Sequence, residues 1–221
     1  MDCEDNVDAS GQFDSSEFLK GIREIRDTTS SPGLARAAVL LPLLNLDGEW
    51  HILFQQRALD IEMQPGDVCF PGGHTEDGET QEETVLREVS EELCVSPSQI
   101  ELLRKMPEMQ GPGGLIVTPF VGVLHDYEGS FDPKEVDHVF TVPLSWFEAN
   151  PPECHEARYE LVLPEDFPYE LIRGGKDYPF RKLPHSMYFY RHPEAVIWGF
   201  TAKLIKRFMG LLVEMDMHHV L

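Results

Sequence analysis

Glu88, Glu91 and Glu92 stand at i, i+3 and i+4 within "REVSEELCV", residues 87–95. That spacing gathers side chains on one face of a helix, where like charges repel by about 0.2–0.5 kcal/mol per pair. A hard divalent cation such as Mg2+ would cancel the repulsion, because it binds carboxylates and the phosphate oxygens of a substrate together. The competing reading is a solvated acidic face, the usual fate of a Glu-rich helix. What precedes the trio favours the cation. Pro71-Gly72-Gly73 and Asp77-Gly78-Glu79 form a glycine-rich lead-in where backbone carbonyls and amides can approach a ligand closely.

The elements that must hold these residues are legible around them. Thr80 and Glu83 make an S/T-x-x-E capping box, which predicts a helix start near Gln81, and Glu82 and Glu83 suit the positive end of its dipole. Val85, Leu86, Val89 and Leu93 form one apolar stripe that must be buried. The three carboxylates fall about 120° from its centre and are expected to look outward. Arg87, four residues after Glu83 and four before Glu91, is within reach of either. Upstream, "ARAAVLLPLLN" and "HILFQQR" read as two strands joined at an Asp47-Gly48 turn. Further strands are predicted at Ile100 to Lys105, Leu115 to Leu124, "HVFTVPL", "ARYELVL" and "SMYFY", with a short helix at "LSWFEAN". Helices are expected at Ser15 to Asp27 and at Glu194 to Met215, the latter with a stripe of Val196, Phe200, Leu204 and Phe208 and with Trp198 in the core. Strands thus dominate, with a central helix and one at each end, an order that suggests a mixed α/β or α+β sandwich.

The whole chain narrows the function classes. Its 221 residues allow one domain, read as 14–221 behind an acidic, disordered tail at 1–13. Eighteen Lys plus Arg against 39 Asp plus Glu give a net charge of −21, which disfavours nucleic-acid and anionic membrane partners and suits divalent cations. The four cysteines show neither CxxC nor zinc spacing, and no signal peptide, sequon or S-K-L ending is found, so a cytoplasmic location is expected. Neither a G-x-S-x-G elbow nor a P-loop is found in it.

Gly73, five residues, Glu79, seven residues, then Arg87-Glu88-Val89-Ser90-Glu91-Glu92-Leu93 resembles the Nudix box, G-x5-E-x7-R-E-U-x-E-E-x-G-U, with U a bulky aliphatic. Cys94 is the one departure, where the motif has Gly, and a slightly different helix exit is expected from it. The resemblance implies a Nudix-type α/β/α sandwich around a mixed β-sheet, and hydrolysis of a nucleoside diphosphate linked to another moiety. It further implies Mg2+ or Mn2+ held by Glu88, Glu91, Glu92 and the Gly73 carbonyl, with Glu79 and Arg87 orienting the site and Glu88 as general base. The segment Leu53 to Gly73 is similar to the one that precedes the box in coenzyme A pyrophosphatases: Arg57, Ala58, Gly66, Phe70, Pro71, Gly72 and Gly73 match, while Gln55 and Glu62 replace a Thr and an Arg. The leading expectation is therefore cleavage of coenzyme A or an acyl-CoA to 3′,5′-ADP and 4′-phosphopantetheine, with Arg57, Gly72 and Gly73 binding substrate. A homodimer is compatible with the sequence. Loss of the basic residue at Glu62 leaves ADP-ribose or a dinucleotide as the second reading, and a non-catalytic nucleotide-binding module as the third. Arg173, Lys176, Arg181 and Lys182 form a small basic island that could replace the missing charge, against the alternative of a solvated loop.

Overall fold

Alternation of side chains along the strands decides the architecture. The computed structural model describes Lys20 and residues 35–215. The expected acidic tail and, Lys20 apart, the helix of Ser15 to Asp27 lie outside the described residues. In β1 (Arg36–Leu46) the even positions Ala38, Leu40 and Leu44 join one apolar cluster, and Leu41 and Leu43 join another on the opposite face. β7 (Ile116–Leu124) repeats the division, with Phe120 and Leu124 on the first face and Val121 and Val123 on the second. Both faces are thus buried, the condition under which strands become nearly continuous in apolar residues.

Each face takes a helix. The first is covered by α1 (Gln81–Glu92) through Val85 and Val89, together with Leu93 just beyond its end. The second lies under α3 (Gly199–Glu214), which contributes Ala202, Leu204, Ile205, Phe208 and Leu212. The short α2 (Leu144–Ala149) adds Leu144 and Phe147 to the same side. The sheet between them is mixed: β1 runs parallel to β7 over Arg36 to Leu43 and antiparallel to β2 (Glu49–Arg57) and to β4 (Gly72–His74). β3 (Val68–Cys69), β5 (Ile100–Lys105), β6 (Met109–Gln110) and β8 (Val136–Pro143) complete it. The Asp47-Gly48 turn forms as read, with φ of 53° and 91°, both positive as a type I′ hairpin demands. The sandwich expectation therefore holds in an α+β chain.

Two elements differ from the sequence reading. The strand expected at "ARYELVL" is β9, Glu153–Tyr159, so its end lies four residues earlier, and Leu161 and Val162 stand exposed beyond it. Its register is set by pairing with β10 (Leu183–Arg191), which the apolar pattern of one strand alone cannot fix. The terminal helix does not begin at Glu194. Val196–Trp198 form β11 against β10, and the helix starts only at Gly199, whose φ of 62° breaks the strand. Val196, assigned to the helical stripe, is accordingly exposed. Trp198, assigned to the core, is 41% exposed and stacks on Phe189 at 6.1 Å.

Candidate active site

The capping box starts α1 as expected: Thr80 Oγ1 accepts from the Glu83 amide at 3.2 Å and Glu83 Oε2 accepts from the Thr80 amide at 2.8 Å. Glu83 is thereby occupied, and Arg87 turns to Glu79 instead. The guanidinium forks onto that carboxylate, Nε at 2.7 Å from Oε1 and Nη2 at 3.0 Å from Oε2, and Nη2 also donates to the His74 carbonyl at 3.1 Å. Arg87, ahead of the Glu76 amide and Thr84 hydroxyl, holds the Glu79 carboxyl down at about 2. Nη1 reaches the other way, to Glu88 Oε1 at 2.8 Å and Glu91 Oε2 at 3.4 Å. One side chain therefore ties the lead-in loop to two members of the carboxylate trio and offsets part of their repulsion.

The trio itself is not uniformly outward. Glu91 is 61% exposed, Glu88 only 17%, and Glu92 is buried. The 120° estimate treats the helix as packed on a flat floor, whereas β4 runs alongside it. Gly72 donates its amide to Glu92 Oε2 at 2.8 Å, which draws that side chain into the protein. Burial pushes the Glu92 carboxyl up to about 8, against the stabilising Gly72 N–H, and burial raises that of Glu88 as well. Gln55 is fully buried beside Glu92 and Cys69, without a well-aligned hydrogen bond to either.

Both glycines of β4 are required by contacts. A Cβ on Gly72 would overlap the Ala38 carbonyl oxygen and Val39 Cα of the paired strand, and its φ is 143°. A Cβ on Gly73 would strike the Glu88 carboxylate itself. The helix exit also differs from expectation. Cys94 takes the left-handed conformation, φ 51°, that the motif glycine would take, and Val95 donates to the Ser90 carbonyl at 3.2 Å in the usual closing bond of such an exit. The path is kept and a side chain bears the strain.

One charged neighbour escaped the sequence reading. Glu135 raises the carboxyl pKa of both Glu88 and Glu92 by repulsion. It arrives on the segment before β8, which is pinned to the end of α1 where Asp132 N–H donates to the Glu92 carbonyl at 2.8 Å and Ser130 Oγ to the Leu93 carbonyl at 2.7 Å. Only the topology brings it there, and no local motif marks it. Arg57 stands apart from the Arg87 network, its Nε donating to the Met63 carbonyl at 3.0 Å, and Glu62 is exposed.

Among the described residues no three acidic, His or Cys groups already converge on one metal position. The donor chemistry nevertheless fits a hard divalent ion. It consists of carboxylate oxygens whose excess charge Arg87 only partly answers, with the Glu88 carboxylate set between the Arg87 guanidinium and the bare backbone of Gly73.

Comparison with known proteins agrees with this geometry. The family model described as NUDIX domain matches residues 34–183. A peroxisomal coenzyme A diphosphatase of Mus musculus is 28% identical over 198 residues, covering 83% of this chain and 76% of its own length. Nudix hydrolase 3 of Caenorhabditis elegans is 27% identical over 215 residues, 91% of this chain and 86% of the relative. An uncharacterized Nudix hydrolase, NudL, of Escherichia coli is 30% identical over 194 residues, 86% and 90% respectively.

Proposed function

This chain belongs to the NUDIX domain family of hydrolases, and from that premise we propose that it cleaves the diphosphate linkage of coenzyme A or an acyl-CoA. The products are 3′,5′-ADP and 4′-phosphopantetheine or its acyl derivative. Support for the substrate comes from the mouse relative, named a coenzyme A diphosphatase, and from the matched segment Leu53 to Gly73. The observation that carries the reaction class is the Glu88 carboxylate, held between the Arg87 guanidinium and the bare backbone of Gly73.

Glu88, Glu91, Glu92 and the Gly73 carbonyl would hold Mg2+ or Mn2+. Bound there, the ion supplies charge neutralisation of the phosphate oxygens and a lowered pKa for water. The chain's own groups do the rest. Arg87 fixes the rotamer of Glu88, and Glu79 fixes Arg87. Glu88, whose burial raises its proton affinity, accepts the proton of the attacking water at a carboxylate oxygen. The new P–O bond forms as the bond from that phosphorus to the bridging oxygen breaks, and the bridging oxygen leaves with the other phosphate. No helix among the described residues is long and apolar enough to cross a membrane.

The test is a panel of coenzyme A, acetyl-CoA, ADP-ribose and diadenosine tetraphosphate incubated with Mg2+ or Mn2+, with products identified by mass spectrometry. Release of 3′,5′-ADP from coenzyme A is expected. Cleavage of ADP-ribose or the dinucleotide alone would transfer the assignment to that substrate, and inertness toward the whole panel would overturn the reading.

A further inference from the structure

Gln55 of β2 is fully buried. Among the described residues it is the one side chain with two polar atoms, Nε2 and Oε1, both shut from solvent and both without a hydrogen-bond partner. A buried amide left in that state is costly, and native chains keep few of them. Leucine or methionine of similar volume would pack there without that cost, so retention of an amide at residue 55 needs a reason.

The sheet register sets what that amide faces. Leu44 of β1 pairs with His51 and packs on the α1 side, so the odd positions Leu53 and Gln55 of β2 share the face that α1 covers. Gln55 is flanked in the sheet by Cys69 of β3 and Val139 of β8, and it lies beside Glu92, the last residue of α1. Glu92 is buried as well, held at Oε2 by the Gly72 amide at 2.8 Å. A carboxylate has room for about four hydrogen bonds, so this one bond leaves places for a second donor and for an ion. On the neighbouring strand, Cys69 is a free thiol and a weak donor suited to the Gln55 carbonyl.

We infer that Gln55 is a positioning residue for the divalent ion and acts through Glu92, its Nε2–H donating to the Glu92 carboxylate when that side chain turns to a bound ion. The Gly72 and Gln55 donors, on β4 and β2, then hold the carboxylate from two strands and leave an oxygen lone pair for the metal. The inference rests on the reading of Glu88, Glu91 and Glu92 as the metal site. It also gives a reason for Gln where the coenzyme A pyrophosphatase segment has Thr. The longer side chain reaches further and carries a donor and an acceptor at its end, one for Glu92 and one for Cys69.

The experiment measures binding of Mn2+ alone, by loss of the free-ion signal in electron paramagnetic resonance, in the wild-type chain, Q55M, E92Q and Q55M/E92Q. Methionine keeps the volume and removes both polar atoms. Q55M is expected to bind Mn2+ about 10–100-fold more weakly than the wild type, the usual loss when a group that orients a metal ligand is removed. In the E92Q background the same change should weaken binding by less than about twofold, because Gln55 acts through the carboxylate that E92Q removes. The urea midpoint of Q55M, measured in chelator, should not fall, since methionine removes two buried polar atoms and no aligned hydrogen bond. Equal Mn2+ affinity in Q55M and the wild type, the result expected if the amide merely binds a buried water, overturns the inference, as does a wild type that binds no Mn2+. An equal loss in both backgrounds, or a lower midpoint, marks a structural role and overturns it too. Coenzyme A turnover keeps this inference apart from the diphosphatase reading. A chain that cleaves no diphosphate but loses Mn2+ affinity in Q55M retains the positioning role, and one that cleaves coenzyme A with unchanged Mn2+ affinity in Q55M rejects it.

Discussion

Gly73→Ala separates chemistry from folding. An ideal Cβ at Gly73 lies 2.5 Å from both Glu88 oxygens, while an unstrained non-bonded contact needs about 3.5 Å, so the carboxylate must retreat by about 1 Å. Misplacement of a catalytic group by that distance costs about 100-fold in rate. The backbone of Gly73 is not left-handed, so alanine adds no φ strain there. Gly72→Ala meets the opposite case, with backbone atoms of Ala38 and Val39 in the way and a φ of 143° that L-residues avoid. It should destabilise the fold by about 3 kcal/mol or more. Urea denaturation and initial-rate assays on both variants test the pair. Gly73→Ala should keep its denaturation midpoint while kcat falls about 100-fold. A Gly73→Ala protein with near wild-type kcat would refute the placement of Glu88 against this backbone.

Glu88→Gln should lower kcat by about 100-fold to 10,000-fold with an unchanged circular dichroism spectrum, as expected for loss of a general base; retention of turnover would remove Glu88 from that role. Cys94→Gly relieves the left-handed strain at the helix exit and should raise stability by about 0.5–1 kcal/mol in urea titration, and an unchanged or lower midpoint would contradict the φ of 51°. Glu79 has its carboxyl held at about 2 rather than 4.5, so its contribution to stability is complete above the normal carboxylate range and is lost as pH falls from about 4.5 towards 2. The melting temperature of the wild type should therefore drop further across that window than that of Glu79→Gln, and parallel curves would argue against the Arg87 fork.

Legibility followed the range of the forces involved. The start of α1 was readable because Thr80 and Glu83 are three residues apart and cap each other. Its buried stripe was readable because period alone fixes a face. The two sheet faces followed from alternation in β1 and β7. What failed was set by partners distant in sequence. Glu92 is turned inward by the amide of Gly72, twenty residues earlier, and Glu135 reaches the trio only because its segment bonds the end of α1. The partners of Arg87 are legible only in part, for a related reason: Glu91 is met at 3.4 Å as the helical spacing allows, while Glu79 is not marked by it. Helical spacing offered Glu83 and Glu91, but the lead-in loop folds back and presents Glu79 in a geometry that takes both ends of the guanidinium. The terminal helix was overextended because Val196 and Ile197 fit its stripe as well as they fit β11, and only pairing with β10 decides between them.

The same contacts explain how one helix carries three like charges. Repulsion among Glu88, Glu91 and Glu92 would be worst if all three faced solvent at one height, and the fold distributes them by depth. Glu91 remains in water, where its charge is screened; Glu88 is half-withdrawn against Arg87; Glu92 is buried on an amide. Arg87 cannot neutralise the whole set, because two of its donors are committed to Glu79 and the third nitrogen is shared between Glu88 and Glu91. A residual negative charge therefore persists at Glu88, on the side facing the uncovered backbone of Gly73. The Glu88 carboxylate can lie this close to the strand only because residue 73 has no side chain, since a Cβ there would meet both of its oxygens at 2.5 Å.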